Sequence, residues 1–568
     1  MKVICEKSLS GKIWNLKGAS DGDILDSILS GRGLLTEESK QKFLNPTLRE
    51  TMPDPFVLKG MEAAVKIAAD KVLAKKKIAV FGDYDVDGIT AVAILVKYFK
   101  KIGADIMWHL PDRESEGYGL KIDAIKNFHE AGAELIITVD CGITAVDEVE
   151  YAASLGMSVI ITDHHEPGPK IPGAAAVINP KQDNCESDLC YLAGVGVAFM
   201  FLVALNRELG RPVPSMLEFL DLVAIGTVCD TMPLVGLNRA ITASGIRVLE
   251  KRGNLGLAIL MEAANVKSPD VYAMGFVIGP RLNAAGRMQD ATLALDLILS
   301  DNEIMARELA ERLNNMNANR QTVQSAIMID ADEMAKKQME AGKYSLFIAG
   351  DNWHGGVLGI IAGRLKEKYN RPTAVVTREN GVLSGSGRSV SSVDLGSIIH
   401  SALEAGMLTA GGGHAAAAGF ELSAEHEENF KEFFENSVKE QLGGSYPVLK
   451  IDVDVEMDAG GATLEFAESL SKMAPFGMGN PEPVLALSGG LWNNARRMGQ
   501  GGEHLSGTLK TSQGNVSVVG FNMSDTDIGR FLLDSANYGT KIMVAGKIKK
   551  NSWNGTDSVQ IFLEDIAL

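Results

Sequence analysis

The chain has 568 residues, which corresponds to three or four domains at roughly 150 residues each. Hydrophobic residues make up 46% and charged residues 22%, the balance of an ordinary folded soluble protein. The 55 basic and 72 acidic residues give a formal net charge of −17, which argues against a generally basic nucleic-acid coat protein. An enzyme that binds nucleic acid in a local basic groove remains compatible with this charge.

The cysteine content and the apolar segments indicate in which cellular compartment the protein resides. Five cysteines, an odd number, do not make a disulfide framework. The first residues lack the apolar core of a signal peptide. The longest uncharged apolar run, Tyr191–Leu205, is too short to span a bilayer. We therefore expect a cytoplasmic protein without a membrane partner.

Strand and helix patterns alternate in the first half of the chain. Residues 1–75 are predicted to form an N-terminal arm with short helical stretches. From residue 76 onward, apolar runs of strand length are followed by helical spacing. The predicted elements are strands Ile78–Phe81, Leu135–Val139 and Val159–Thr162 and helices over residues 89–101 and 145–155. This alternation indicates parallel crossovers, so residues 76–290 are predicted to form a doubly wound α/β domain.

The second half of the chain predicts three further parts. Residues 291–343 read as a long connecting helix, or two in line, because no Pro or Gly interrupts Ala291–Ala341. Residues 344–442 predict a second α/β domain. In residues 446–568, short strands separated by glycine turns predict a small β-barrel. The predicted barrel strands include Leu449–Val455, His504–Lys510, Val516–Phe521, Ile542–Ile548 and Val559–Leu563.

Acidic and histidine side chains follow the predicted strands of the first domain. In an open parallel sheet, ligands bind beyond the carboxyl ends of the strands. The residues concerned are Asp83, Asp85 and Asp87 after the first strand, Asp140 after the second, Asp163, His164 and His165 after the third, and Asp230 in a later helical segment. A calcium loop is a poor alternative for the first group, because the expected glutamate is replaced by Ile94.

The chemistry of this group favours two divalent cations. A lone aspartate after a strand is usually a helix cap, but many carboxylates at one point repel each other unless cations hold them together. Mixed carboxylates and imidazoles suit Mn²⁺ and Mg²⁺, and the lack of cysteine ligands argues against structural zinc. Two ions about 3.5–4 Å apart can clamp a phosphate and activate a water. The pattern therefore predicts metal-assisted phosphoester hydrolysis.

Several motifs resemble known families. The triplet Asp163–His165 with the acidic loop Gly82–Gly88 upstream resembles the DHH phosphoesterase superfamily. The chain is more closely similar to the RecJ family of bacterial single-strand-specific exonucleases, over about residues 78–485. The supporting blocks are Pro111–Arg113, Glu116–Leu120, Pro280–Met288, Trp353–Ile360, Ser386–Ser389, Gly411–His414 and Pro475–Pro483.

The resemblance implies a fold and a set of metal ligands. The fold would be a DHH-type parallel-sheet domain, a long connecting helix, a DHH-associated α/β domain and a C-terminal OB-fold β-barrel. The ligands of two ions would be Asp85, Asp87, Asp140, His164, His165 and Asp230. Asp140 would bridge the ions, and Asp83 would be an auxiliary ligand. His165 could instead contact the substrate phosphate.

The resemblance also implies residues that bind the substrate. Arg113, Ser386 and Arg388 would bind the terminal 5′ phosphate, and His414 would donate a hydrogen bond beside Gly411–Gly413. Arg281, Asn283 and Arg287 would line the path of the strand, although salt bridges in the core are an alternative for both arginines. In the barrel, the predicted DNA grip consists of Arg496, Arg497, Lys510, Lys547, Lys549 and Lys550 near Trp492, Phe521 and Trp553. Individually, ordinary surface lysines and core aromatics are the alternative for these residues.

The activity implied is that of a single-stranded-DNA-specific exonuclease, degrading from 5′ to 3′ to 5′-mononucleotides in recombination and repair. A DHH-family phosphodiesterase or phosphatase acting on oligoribonucleotides or small nucleotides is one alternative. A non-catalytic single-strand-binding replication scaffold is the other, but it would be expected to have lost ligands. Single-strand-binding protein and a RecQ-type helicase are the partners expected from the family.

Overall fold

The computed structural model describes residues 2–18, 23–113, 115–288, 290–536 and 538–568, and only the backbone of residues 213–215. The chain divides into two compact units. The first comprises residues 34–317 with 470–482, and the second comprises residues 1–33, 318–469 and 483–568. The domain boundaries expected at residues 75, 290, 343 and 442–446 stay a prediction.

The bounds of the regular elements are as follows. The strands are β1 Lys2–Cys5, β2 Ile13–Leu16, β3 Lys77–Gly82, β4 Ile106–His109, β5 Ala133–Val139, β6 Ser158–Thr162, β7 Ala176–Ile178, β8 Leu346–Asp351, β9 Thr373–Glu379, β10 Val382–Arg388, β11 Ala410–His414, β12 Ala417–Ser423, β13 Lys450–Val453, β14 Val455–Asp458, β15 Leu485–Met498, β16 His504–Thr511, β17 Gly514–Gly520, β18 Thr540–Trp553 and β19 Thr556–Ala567. The α-helices are α1 Ile24–Gly31, α2 Glu37–Leu44, α3 Leu48–Thr51, α4 Met61–Leu73, α5 Val86–Lys101, α6 Ile122–Glu130, α7 Val146–Ser154, α8 Gly194–Glu208, α9 Leu220–Cys229, α10 Gly236–Glu250, α11 Leu255–Ala263, α12 Gly279–Met288, α13 Thr292–Leu299, α14 Glu303–Glu340, α15 Gly355–Tyr369, α16 Leu395–Glu404, α17 Glu427–Gln441, α18 Leu464–Ser471 and α19 Asp527–Asp534.

The first unit contains a parallel sheet in the order β4-β3-β5-β6-β7. The central strands β3, β5 and β6 are almost completely buried, as expected for continuous apolar runs in a parallel sheet covered on both faces. The α/β prediction is therefore confirmed. Strands β4 and β7 were not predicted, because they have only four and three residues.

The second unit contains two larger sheets. A mixed sheet has the order β11-β12-β10-β9-β8, in which only β8 and β9 are parallel to each other. A six-stranded sheet has the order β14-β15-β16-β17-β19-β18, and the additional pairing of β15 with β18 closes five of its strands into a barrel. The prediction of a second α/β domain followed by an OB-like barrel is confirmed.

Two strand assignments of the C-terminal region were wrong or incomplete. The predicted strand Leu449–Val455 is divided into β13 and β14. Strand β13 lies outside the barrel, in a three-stranded sheet with β1 and β2. The predicted N-terminal arm therefore supplies strands to a sheet with residues more than 400 positions away. The long strand β15 was missed because Gly489 and Gly490 interrupt its apolar pattern.

The segment between the two α/β sheets is helical, as the lack of Pro and Gly predicts. Helix α13 is followed by α14, which has 38 residues. Among the residues that the structure describes, no helix combines the length and the apolar character needed to cross a bilayer.

Candidate metal centre

Three aspartates follow β3, two in the loop before α5 and one in the first turn of that helix. Asp85 is the N-cap of α5, and its Oδ1 accepts hydrogen bonds from the amides of Asp87 and Gly88 at 2.9 and 3.1 Å. Asp87 lies in the first turn of the same helix. Its carboxylate accepts the amides of Gly194 at 2.6 Å and Val195 at 2.9 Å, the first residues of α8. Free amides at a helix N-terminus favour a negative charge, so Asp87 is held by two helices.

Asp140 follows β5 in a left-handed backbone conformation with φ of 58°. Aspartate tolerates this region better than most residues. Its side chain lies directly against Gly194, where an added Cβ would come within 2.6 Å of both Cβ and Oδ1 of Asp140. A larger residue at 194 would therefore collide with Asp140.

Asp163, at the end of β6, organises the two histidines. Its Oδ1 accepts the amides of His164 at 2.7 Å and His165 at 3.1 Å and lies 2.8 Å from Nδ1 of the His165 ring. Its Oδ2 accepts the amide of Ile143 at 2.9 Å. Both oxygens are thus occupied, and Asp163 acts as the carboxylate that orients a histidine rather than as a free ligand. Its place in the triplet was noted from the sequence, but this role was not predicted.

The seven side chains expected at the metal centre converge in the first unit. The Nε2 atom of His164 lies 3.1 Å from Oδ1 of Asp140 and 3.6 Å from Oδ2 of Asp230. Three overlapping groups have ligand atoms within 4.8 Å of one another. These groups are Asp140 with His164 and His165, Asp87 with His164 and Asp230, and Asp83 with Asp85 and Asp140.

Several ligand atoms at this point are buried without a hydrogen-bond partner among the described residues. They are Oδ1 of Asp83 and Oδ2 of Asp230, together with Oδ1 of Asp140 and Nε2 of His164, which lie 3.1 Å apart but lack the geometry of a hydrogen bond. Buried polar atoms are nearly always hydrogen-bonded, so this clustering of carboxylate oxygens and an imidazole nitrogen fits bound cations. The atoms that could bind a metal ion here are oxygen and nitrogen, which suits Mn²⁺ or Mg²⁺. The nearby Cys229 thiol instead contacts the carbonyl of Met274 at 3.5 Å.

Without a cation, burial and the neighbouring negative charges raise the pKa of several of these carboxyl groups. Burial, followed by the charge of Asp85, raises the pKa of Asp87 to about 7. Burial and the charge of Asp87 raise the pKa of Asp230 to about 8, and they raise that of Asp140 well above its usual value. Burial likewise raises the pKa of Asp83, with a further contribution from Asp85. The centre is therefore built to be neutralised by positive charge.

The two histidines differ in protonation. Burial, followed by the charge of His165, lowers the pKa of His164 to about 4, which leaves a neutral imidazole suited to metal coordination. Burial alone would lower the pKa of His165, but the hydrogen bond and charge of Asp163 outweigh it and raise this pKa to about 9. Tyr118, which was not singled out individually, places its hydroxyl 3.1 Å from Nδ1 of His165.

Four of the predicted substrate-binding residues lie in the first unit. Arg113 is exposed and lies over the ring of Tyr84, with 5.6 Å between its Cζ and the ring centroid. Arg281 donates to Oδ1 of Asn314 at 3.0 Å and to the carbonyl of Val277 at 2.7 Å. Arg281 is thus anchored by neutral oxygens. Asn283 and Arg287 are half-buried on the same helix, α12.

The other three predicted residues lie in the second unit. Ser386 and Arg388 are on β10, where Arg388 Nη1 donates to Ser386 Oγ at 3.2 Å and to the carbonyl of Gly387 at 2.8 Å. His414 ends β11 and is exposed. It lines a cavity of about 470 Å³ together with Gly411–Gly413 and His400. Ser386 and Arg388 are therefore brought into direct contact.

The barrel residues expected to grip DNA have different environments. Trp492 is completely buried, with Nε1 donating to the carbonyl of Leu532 at 2.8 Å, so it is a core residue and not a stacking platform. Phe521 and Trp553 are exposed. Three of the basic side chains form ion pairs: Arg497 with Asp525, Lys547 with Glu564, and Lys550 with Glu468 and Asp557.

Three family matches cover most of the chain. Residues 77–227 match the DHH family, N-terminal domain, residues 342–440 match the DHHA1 domain, and residues 453–565 match the RecJ OB domain. The metal centre described above lies in the DHH match, apart from Asp230, which follows it by three residues.

Individual relatives agree with the family matches. The chain is 34% identical over 553 residues to the single-stranded-DNA-specific exonuclease RecJ of Bacillus subtilis, covering 96% of this chain and 68% of that protein. It is 32% identical to RecJ of Haemophilus influenzae, covering 96% of both chains. The crystal structure of RecJ in complex with Mn²⁺ from Thermus thermophilus superposes with a TM-score of 0.80 at 30% identity, covering 97% of this chain and 79% of that one. With the same order of domains and similarity along nearly its whole length, the chain belongs to the RecJ family of single-stranded-DNA-specific exonucleases.

Proposed function

We propose that this protein is a metal-dependent exonuclease that degrades single-stranded DNA from 5′ to 3′ and releases 5′-mononucleotides, in DNA recombination and repair. The proposal depends above all on one observation: three aspartates and a histidine with buried ligand atoms that make no hydrogen bond converge in a chain similar to RecJ throughout. Small-nucleotide phosphodiesterases of the superfamily have no evident use for the C-terminal barrel.

The donor set supports a site for two ions, Mn²⁺ or Mg²⁺. The ligands we propose are Asp85, Asp87, Asp140, His164, His165 and Asp230, with Asp83 as an auxiliary ligand. Asp140 belongs to two of the three ligand groups, which supports its role as the bridge. When bound, the ions supply Lewis acidity for activating water and for balancing charge on the phosphate and the leaving oxygen.

The residues of the chain prepare this site for the reaction. The amides of α8 hold Asp87, and Asp163 holds the His165 ring, so the ligands are pre-oriented before substrate arrives. His165 is open to two roles. It either completes the ligand set or, as an imidazolium, donates a hydrogen bond to the substrate phosphate. The contact between its Nδ1 and Asp163 orients the ring in either role.

The substrate contacts follow from the cationic and amide side chains. We propose that Arg113 binds phosphate of the DNA in the first unit and that the Ser386–Arg388 pair does so in the second, since a guanidinium matches phosphate oxygens bidentately. His414 would donate a hydrogen bond to phosphate in the second unit. Arg281, Asn283 and Arg287 would contact the backbone of the strand behind it. The proposed setting is the cytoplasm, with single-strand-binding protein and a RecQ-type helicase as partners.

The proposal is tested with single-stranded DNA that carries a labelled 5′ phosphate, in the presence of Mn²⁺, beside a blunt duplex. The wild-type protein should release labelled mononucleotide from the single strand only. The Asp140→Ala protein should release none, and Asp147→Ala, which changes an exposed aspartate on α7, should behave as wild type.

Other outcomes would contradict the proposal. Cleavage of dinucleotides with long strands left intact would identify a small-nucleotide phosphodiesterase. Binding of the strand without cleavage under any metal condition would identify a non-catalytic scaffold.

A further inference from the structure

A pair of aromatic side chains is exposed on the helix that leads into α12. Tyr272 is 66% exposed and Phe276 is 70% exposed. Their rings stack on each other, with centroids 5.1 Å apart and planes inclined by 24°. Large apolar surfaces of this kind normally lie in the core or at a binding site. Phe276 lies on a helical segment, Ala273–Ile278, wound as a π-helix, and Tyr272 directly precedes it; such a distortion is frequent at functional sites.

Close contacts fix this segment to the residue beside a proposed metal ligand. The thiol of Cys229, which directly precedes Asp230, contacts the carbonyl of Met274 at 3.5 Å. A Cβ added at Gly279 would lie 2.4 Å from the sulfur of Cys229, so the helix backbone packs tightly there. Met274 lies between Tyr272 and Phe276 in sequence. The helical segment that carries the aromatic pair is therefore anchored to Cys229, the residue before Asp230, within the same unit.

Two arginines follow the aromatic pair on the same helix. The same continuous helix carries Arg281 and Arg287 one to three turns further on. Arg281 Nη1 donates to the carbonyl of Val277, the residue after Phe276, which holds the guanidinium beside the aromatic segment. Aromatic faces next to cations are the combination with which proteins bind single-stranded nucleic acid without sequence preference.

We propose that Tyr272 and Phe276 form a stacking platform for unpaired bases of the DNA strand, a few nucleotides behind the bond that is cut. This inference rests on the proposed exonuclease function and specifies a binding subsite for its substrate. The bases of a duplex are already stacked and paired, so the platform also favours single strands. A second copy of this chain or a protein partner on the same surface are the competing occupants.

The first test separates stacking from simple hydrophobicity. The variants are Phe276→Ala, Phe276→Leu, Phe276→Trp and Tyr272→Ala, with Leu73→Ala as the control because Leu73 is 73% exposed at the end of α4. Loss of one stacked base should raise KM for an oligothymidylate about 10- to 100-fold in the Ala and Leu variants, with a much smaller change in kcat. The Trp variant should restore a KM near the wild-type value, and the control should retain it.

The second test locates the base on the strand. Oligonucleotides with one abasic position, moved stepwise from the 5′ end, should raise KM of the wild-type enzyme at one or two positions. In the Phe276→Ala protein those same positions should have no additional effect. A wild-type KM that is insensitive to every abasic position would overturn the platform.

Binding without turnover distinguishes failure of the platform from failure of the proposed function. A strand containing 2-aminopurine at the sensitive position is titrated into Asp140→Ala protein, with and without Phe276→Ala, and its fluorescence is measured. Stacking should quench the probe only when Phe276 is present. Three outcomes would refute the inference even if the exonuclease activity is established. They are equal quenching in both proteins, equal KM values for the Phe276→Leu and Phe276→Trp variants, and a change of oligomeric state in Phe276→Ala.

Discussion

Replacement of Gly194 by alanine is the most incisive test of the metal centre, because this glycine contacts two of its aspartates. Its amide donates to Asp87 at 2.6 Å, and its α-carbon faces Asp140. A methyl group at this position would lie 2.6 Å from Cβ and Oδ1 of Asp140. Since carbon atoms pack at about 3.5 Å, Asp140 or α8 must move by about 1 Å.

The expected magnitude follows from this displacement. Catalytic groups must be held to within about 0.5 Å, and a misplacement of about 1 Å costs on the order of 100-fold in rate. We therefore expect kcat to fall about 100-fold in Gly194→Ala, with a loss of about 1–3 kcal/mol in stability from overpacking. The Mn²⁺ affinity should fall as well, because Asp140 is the proposed bridging ligand.

The matched control is Gly196→Ala, two residues further along α8. A Cβ there would lie 3.4 Å from the side chain of Leu192, an ordinary contact. Alanine in a helix interior is favoured over glycine by about 0.5–1 kcal/mol, so this variant should keep its activity and its stability. Rates are measured on single-stranded DNA at saturating Mn²⁺, and metal affinity is measured by calorimetry on metal-free protein. If the two variants had similar kcat and similar Mn²⁺ affinity, the close approach to Asp140 would have no functional meaning.

Three further predictions concern the carboxylates. Asp163→Asn removes the charge that orients His165, and we expect kcat to fall about 10- to 100-fold; wild-type kcat in this variant would show that Asp163 has no orienting role. Mn²⁺ at 100 times its Kd should stabilise the wild-type protein by about 2.7 kcal/mol in thermal unfolding, and Asp140→Asn should remove most of this effect; an equal shift in both proteins would place the binding elsewhere. Away from the centre, burial raises the pKa of Asp221, which is 3% exposed, to about 6, although the amide of Leu222 and the charge of Lys97 act to lower it. A raised pKa means that the stability is present below about pH 4 and is lost as the pH rises through about 6, so Asp221→Asn should gain on the order of 3 kcal/mol at pH 8 and little at pH 4. A pH-independent difference in chemical denaturation would contradict this assignment.

Local patterns were sufficient to predict the parallel sheet and the edge at which the acidic residues gather. Strands β3, β5 and β6 are continuous apolar runs that end at aspartates or glycine-aspartate, and each was predicted to within two residues. The carboxyl ends of parallel strands meet at one edge, so Asp83, Asp140 and His164 were expected to lie close together. The structure places them in neighbouring ligand groups, and their roles as ligands stay a prediction.

Partners that are distant in the chain could not be read from these patterns. Nothing local to Trp492 shows that its indole is buried against Leu532, so the sequence left open whether it is a core residue or a DNA platform, and the structure shows a core residue. Strand β13 was assigned to the barrel because its alternation of polar and apolar residues is typical of any short strand and does not indicate the sheet to which the strand belongs. Its pairing with β2 depends on residues more than 430 positions earlier, and pairing of that range leaves no local signal.

The order of strands, helices and acidic turns along this chain follows from periodicity and from the φ/ψ preferences of single residues, which act over a few positions. The ligand types, and with them the class of metal ion, follow from side-chain chemistry in the same way. Which oxygens are already occupied depends instead on contacts between remote segments. The amides of α8 bind Asp87. The His165 ring and backbone amides of two loops occupy both oxygens of Asp163. The missing side chain of Gly194 leaves room for Asp140. The packing of α8 creates the distances around Asp87 and Asp140, and the loops after β5 and β6 create those around Asp163. Only folding of the whole unit therefore distinguishes the ligands from the residues that position them.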